Sequence, residues 1–348
     1  MSALTVRRIG SIVLLTAIFS LAASAAPAGE EGRRGLTVSL KFSGGAGFLF
    51  DGGGELEQTR LGRVHQYTGY NSIPAYAGSA SWERLWIAPD YGFDLIFNFG
   101  DFIGIGIGSG YLQLKTRGEY QVTYDFATSN YLSTNYTYDD EYKYTRKYNI
   151  AATPATATLY LRIPMEAITV FAYAGAGYYM GSLTHDYTGN YIEITDTRPR
   201  TGTMTKEEIT TAYVLTEKLK SNTLGVHGGL GADIRIFSFM ALGLEVYGRY
   251  VNFLKWEGDV SWTQSARHRD WSESAGWYYD NTANTSNAYR GKLWYYEFYV
   301  SSLSGNYGQM FARESEPSST SNINVREAAI NMNNFGLRIS LRLFFNLF

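Results

Sequence analysis

The most regular pattern in this chain is alternation of apolar and polar residues at period two. It is clearest in the last stretch, NNFGLRISLRLFFNLF, where Phe335, Leu337, Ile339, Leu341, Leu343, Phe345 and Leu347 hold consecutive odd positions. Gly336, Arg338, Ser340, Arg342, Phe344 and Asn346 fill the places between them. Successive side chains of a strand point to opposite faces, so the pattern predicts a β-strand lying between two chemically opposite environments. Seven further segments read the same way, at 36–50, 87–99, 102–115, 151–163, 168–180, 223–237 and 239–251. In the third of these, Ile103, Ile105 and Ile107 oppose glycines. The phase then slips near Ser109, which predicts a bulge. The segment 168–180 is strand-like, but pattern alone does not assign its faces.

The connections between segments alternate in length. Tight turns fall at 100–101, 164–166 and 237–238, and long connections at 51–86, 116–149, 181–222 and 252–332. An even number of antiparallel strands with short turns at one rim and long loops at the other predicts an all-β fold. That fold is a closed antiparallel up-and-down transmembrane β-barrel of 8 strands, with short periplasmic turns and four long extracellular loops. Strands of this length cross the hydrocarbon when tilted, and a closed sheet pairs every backbone polar group, as lipid demands. A ten-strand alternative adds GKLWYYEFYVSSL, but NYGQMFARESEP after it makes a poor return strand. Alternation alone also suits a soluble sandwich or a lipocalin-like barrel, whose apolar face turns inward.

The N-terminus separates these readings. Arg7 and Arg8 precede the apolar run IGSIVLLTAIFSLAA, and Ala23-Ser24-Ala25 supplies small residues at the cleavage positions. Residues 1–25 therefore read as a secretory signal peptide cut after Ala25, 26–35 as a short periplasmic segment, and 36–348 as the barrel with its loops. With 37 glycines, 29 tyrosines and 7 prolines, composition favours strands and turns. The absence of cysteine excludes disulfides, thiolate metal sites and a cysteine nucleophile. A net charge of −2 argues against a nucleic-acid partner.

The chain resembles the small eight-stranded outer-membrane barrels of the OmpX, OmpW and OmpA-transmembrane-domain type, by architecture over most of 36–348. The most specific motif is the closing strand, FGLRISLRLFFNLF, similar to the C-terminal signal read by the barrel-assembly machinery. Leu341, Leu343, Phe345, Leu347 and Phe348 are the residues this resemblance implicates, although Phe348 is out of phase with the odd apolar positions. The resemblance implies the bacterial outer membrane as location, with its lipids and lipopolysaccharide and the assembly machinery as partners.

With the apolar face outward, the interior inherits Lys41, Arg162, Arg235, Arg249, Arg338 and Arg342, along with Asp90, Asp94, Asp233 and Glu245. Eight strands leave room only for side chains inside, and charges confined there persist only when paired. Counted from the short turns, Lys41, Asp94, Asp233, Glu245 and Arg342 share one depth. Asp90, His227, Arg249 and Arg338 share a second. Two layers of ion pairs would plug the barrel, with Arg338 on Asp90 and Arg342 on Glu245 or Asp94. His227 sits on this polar face without the serine of a lipid A-modifying triad, so it reads as structural. No catalytic set is predicted. His65, His185 and His268 lie singly in loops, so no metal and no cofactor is expected. Asp139-Asp140-Glu141 lacks the spacing of a calcium loop.

The long connections hold more than half of the mature chain and most of its aromatic residues. The second contains eight tyrosines, and the fourth contains Trp256, Trp262, Trp271, Trp277 and Trp294. Such residues suit recognition surfaces as well as the interfacial girdle. The reading is a non-enzymatic barrel presenting aromatic loops for envelope structure or for adhesion to an extracellular macromolecule. The alternative is OmpW-like passive transport of small hydrophobic molecules, with Pro154 and Ser109 marking the place for a gap between strands.

Overall fold

The computed structural model describes residues 36–51, 53–69, 75–84, 87–129, 134–300, 305–320 and 323–346. The leader, the 26–35 segment, Leu347 and Phe348 lie outside them. Each of the eight alternating segments becomes a strand, and these pair in a closed cycle. β1 (Leu36–Leu49) joins β3 (Ile87–Phe99), followed in turn by β4 (Ile103–Ser129), β5 (Asn135–Met165), β6 (Ile168–Arg198), β7 (Thr205–Phe237) and β8 (Met240–Phe253). β8 pairs with β14 (Asn334–Asn346), which returns to β1 and closes the ring. All of these pairings are antiparallel. The turn from β3 to β4 depends on Gly100 at φ +64°, a conformation other residues rarely adopt.

The four long connections are largely strand, which corrects the expectation of loops except in the second, whose partly alternating flanks predict that the barrel strands continue upward as a hairpin. β4 and β5 stay paired as far as Ser129 and Asn135, and β6 and β7 as far as Thr197 and Thr205. Above the ring, β7 leaves β8 after Gly225–Val251 and takes β9 (Glu257–Ser272) as its partner from Lys220–Glu257 onward. β9 pairs with β10 (Gly276–Val300), whose end carries β11 (Gly305–Arg313) on one edge and β12 (Ile323–Glu327) on the other. The first connection contains α1 (Glu55–Gly69) and β2 (Tyr76–Trp82), the latter paired to β4. β13 (Ile330–Asn331) lies against β8. The described residues thus form fourteen strands and one helix, with eight strands in the ring. GKLWYYEFYV and GNYGQMFAR do form the hairpin judged poor from sequence, but outside the ring. Its return strand is held by burial of Met310 and Ala312.

No bulge forms at Ser109. β4 keeps a single register with β3 and with β5 throughout, although its pairing with β5 omits Gly110 and Tyr111, opposite Pro154 and Thr153. Proline has no N–H to give the ladder there. The hydrophobic phase changes because the interior itself changes. In the ring, β4 turns Gly104, Gly106 and Gly108 inward, and higher up the same inward row carries the buried Leu112 and Leu114. The molecule therefore has two storeys. A polar interior fills the ring, and above it an apolar core gathers Leu114, Ile150, Leu183, Leu219, Phe253 and Trp256.

Helix α1 supplies Leu56, fully buried, to this upper core. Glu55 and Glu57 in its first turn suit the positive end of the helix dipole. The Glu55 carboxylate also accepts hydrogen bonds from Arg326 Nε (2.8 Å) and from the Ala329 amide (2.6 Å), tying the helix start to the β12–β13 segment. Tyr295 donates to Gln58 from β10 at 2.7 Å.

Candidate functional site

The inward row of the ring is a set of charges, most of which are paired. At the level nearer the short turns, Lys41 Nζ lies 2.7 Å from Glu245 Oε1, and Arg342 Nη1 lies 2.8 Å from Asp233 Oδ2. Asp94 accepts a 3.0 Å hydrogen bond from the Tyr160 hydroxyl. At the level above, Asp90 Oδ2 meets both Arg338 Nη2 (2.7 Å) and Arg249 Nη1 (3.1 Å). Arg162 donates to Asn98 Oδ1 at 2.9 Å, and His227 Nε2 lies 2.9 Å from Thr158 Oγ1. Aromatic faces fill the remaining space. Three rings, of Tyr160, Phe171 and Tyr173, lie 5.0–5.3 Å from Lys41 Nζ, and Arg338 lies 3.8 Å over Tyr247.

Two expectations fail here. Arg342 meets neither Glu245 nor Asp94. Lys41 stands directly across from Arg342 on β1 and takes Glu245 itself. Arg342 then reaches over β8, where the inward residues at this level are the small Ala241 and Gly243, to Asp233 on β7. Arg235 does not join the interior: it is exposed, near the register shift that ends β7, with its guanidinium 5.6 Å from the Phe344 ring.

A small cavity, about 30 Å³ in volume, lies in the ring wall between interior residues such as His227 and Arg249 and the broken ladder at Ser109, Gly110 and Pro154. That is room for about one water molecule. The outer face is apolar and exposed, including Ile105, Ile107, Val226, Leu230, Leu244 and Ile339. Of the residues implicated in assembly, Leu341 and Leu343 are half-buried in β14 and Phe345 is exposed, while Leu347 and Phe348 fall outside the described residues.

The upper sheet forms a second feature. Tyr142 and Tyr144 of β5, Tyr187 and Tyr191 of β6, Tyr213 of β7 and Tyr289 of β10 line a cleft of about 440 Å³, together with Phe311 and Arg313. Tyr142 stacks with Tyr191 and Tyr144 with Tyr187, at centroid distances of 4.9 and 5.7 Å. Arg146 lies between Tyr187 and Phe311, 4.8 and 4.9 Å from their rings. At the floor, Glu217 accepts the Ala312 amide at 2.7 Å and lies 2.7 Å from His185 Nδ1. His185 is fully buried and stacks on Tyr148 at 4.1 Å. Burial pushes its pKa down, against the opposing pull of Glu217, so the ring is neutral and donates through Nδ1.

These tyrosines come from four strands whose alignment no local pattern reveals. The tyrosine count of the second connection was the one available signal. The tryptophans divide by role: Trp256 and Trp294 are buried, Trp262 stacks on Tyr213, and Trp277 lies 3.8 Å beneath Arg269. Glu141 of the acidic run pairs with Lys143 and accepts from Gln121. The histidines are not all solitary. His185 has Glu217, and His268 lies beside Glu207 and Asp270. The side chain of His65 lies outside the described residues.

No protein-family model matches the chain, and no curated protein matches it either. Among solved structures, the siderophore receptor PirA from Pseudomonas aeruginosa aligns over 91% of this chain and 81% of its own, at 9% identity and a TM-score of 0.10. That score is too low to relate the two folds. The class therefore rests on the molecule itself: an all-β antiparallel sheet whose pairings close through eight strands. None of its helices is long and apolar enough to cross a membrane, a statement limited to the described residues.

Proposed function

We propose that this chain is a non-enzymatic bacterial outer-membrane β-barrel protein. Its eight-stranded ring spans the bilayer with a plugged interior, and its tall upper sheet presents an aromatic surface for recognition of an extracellular macromolecule. The carrying observation is the inversion of the ring. Its exposed face is apolar, with Leu224 at 77% and Ile339 at 67% exposure, while Lys41, Asp90, Glu245 and Arg342 inside are at most 1% exposed. Water rewards the opposite arrangement, and lipid rewards this one. The tyrosine cleft supports the recognition role, because tyrosine offers rigid contact area with a polar tip. The test is reconstitution into lipid vesicles followed by protease digestion from outside. Protection of peptides from the ring, with cleavage confined to the upper sheet, is expected. Loss of ring peptides at the same rate as the upper sheet refutes membrane insertion.

The second reading, passive transport of small hydrophobic molecules, rests on the ladder break at Pro154 and the cavity beside it. At about 30 Å³ that space admits no such molecule without strand separation. Planar-bilayer recording separates the two readings: silence fits the plug, and discrete openings fit transport.

A further inference from the structure

Far above the ring, β7, β9 and β10 run as an open sheet whose two faces sort their charges sharply. On β9, Arg267 and Arg269 project to one face, where they pair with Asp280 and Glu208. The alternate residues His268 and Asp270 project to the other face, and Glu207 of β7 stands directly across from Asp270. His268 Nε2 lies 2.9 Å from Glu207 Oε1 and 3.2 Å from Asp270 Oδ1. The three donor atoms all fall within 4.8 Å of one another.

We infer that Glu207, His268 and Asp270 form a binding site for a divalent transition-metal ion, with zinc as the best-fitting member. Ligands about 2.0–2.2 Å from zinc stand roughly 2.9–3.5 Å from one another at octahedral to tetrahedral angles, which matches the two observed separations. The ligand chemistry also fits, because imidazole with carboxylates suits first-row metals better than the all-oxygen sites of calcium or magnesium. The His268 side chain is about 40% exposed, but its Nε2 atom is itself shielded from solvent and is the atom both carboxylates face. Among the described residues, the ion pairs of Glu207 and Asp270 are with His268 alone, so two carboxylates converge on one imidazole without a Lys or Arg. Tyr279 of β10 packs edge-on against the imidazole at 5.2 Å, which holds the ring in place. Three protein ligands on paired strands leave open positions for water or for a group from a partner.

The experiment is calorimetric titration of zinc chloride into the full chain, folded in detergent and stripped with chelator. His268→Ala, Glu207→Gln and Asp270→Asn are titrated alongside. One zinc per chain with micromolar affinity is expected, weakened at least about tenfold by each substitution. Because these side chains are partly exposed on an open sheet, the variants are expected to keep the far-ultraviolet spectrum of the parent, and each is checked that way before titration. Absence of saturable binding in the parent chain overturns the site. Equal affinity in parent and folded variants overturns it as well, and displacement by equimolar calcium or magnesium overturns the assignment to a transition metal.

Discussion

Arg338 on β14 and Asp90 on β3 meet at 2.7 Å across an intervening strand, and the residue of β1 at that level is Gly45, paired to both. Asp90 also holds Arg249 from the far side. One carboxylate therefore bridges two guanidiniums, and the three positions are not equivalent. Asp90→Asn strands both arginines, so its expected cost is about 3–5 kcal/mol, the range for breaking a buried pair. Arg338→Met leaves Asp90 with Arg249 and should cost clearly less. Urea unfolding of the lipid-reconstituted protein checks the order; equal costs refute the shared-carboxylate geometry.

Arg342 and Asp233 offer the reverse test. Arg342→Met alone strands Asp233 and is expected to cost about 3 kcal/mol. The double variant Arg342→Met with Asp233→Leu removes both charges and should recover most of that loss, since apolar replacement of a buried pair is often neutral. A double variant as unstable as the sum of the single ones contradicts direct pairing. In that case Glu245, already held by Lys41 at 2.7 Å, would be the place to look for the partner.

A charge on the other face should behave differently. Ile339, between these two arginines in sequence, points outward and is 67% exposed. In a membrane-spanning ring Ile339→Arg is expected to cost about 2–4 kcal/mol near the bilayer midplane. In a water-soluble ring the same change costs almost nothing. Folding yield into vesicles, read by the shift of unboiled against boiled protein on a gel, separates the two.

The ring was legible because alternation over about ten residues is a strong signal wherever the two faces meet opposite environments. β3 was read residue for residue as Ile87–Phe99, and the described strand β14, Asn334–Asn346, lies within the segment read as the closing strand. The same rule misread β4 beyond Ser109. Its inward row passes from glycines to Leu112 and Leu114 where the polar interior gives way to the apolar upper core, which imitates a register slip. β9, with the sequence EGDVSWTQSARHRDWS, carries little alternation because much of both faces meets water. Helix α1 was missed for a related reason: of its mostly polar residues, Leu56 is the apolar side chain that is fully buried. The partner of Arg342 turned on which intervening residues are small, Ala241 and Gly243, and depth counting alone ignores that. The tyrosine cleft and the Glu207–His268–Asp270 grouping join residues far apart in sequence, and only strand pairing brings them together.

The two storeys should unfold separately. Trp256 is fully buried at the base of the upper core, packed against Phe253 at 5.3 Å. Trp256→Ala is expected to remove about 3–5 kcal/mol from that core. The ring, held by its own ladder and ion pairs, should keep its heat-dependent gel shift, while the β6–β7 and β9–β10 hairpins become readily cleaved by protease. Simultaneous loss of both properties would make the molecule a single cooperative unit.

The buried His185 makes the upper storey sensitive to acid. Burial lowers its pKa in the folded chain, and Glu217, whose carboxylate accepts the Nδ1–H, only partly opposes this. The unfolded chain has the ordinary histidine value of about 6.5. Between that value and the lower folded one, the unfolded state binds the extra proton, so stability is full above about pH 6.5 and falls as pH drops through that window. Arg146, whose charge also disfavours a second cation at His185, strengthens the effect. Protease cleavage of the upper sheet should therefore accelerate on acidification from pH 7 to 5, with the ring unaffected. His185→Gln, which has no proton to gain in this range, should flatten the dependence even if it lowers stability at every pH. An undiminished acid response in that variant would place the titrating group elsewhere and refute the role of His185.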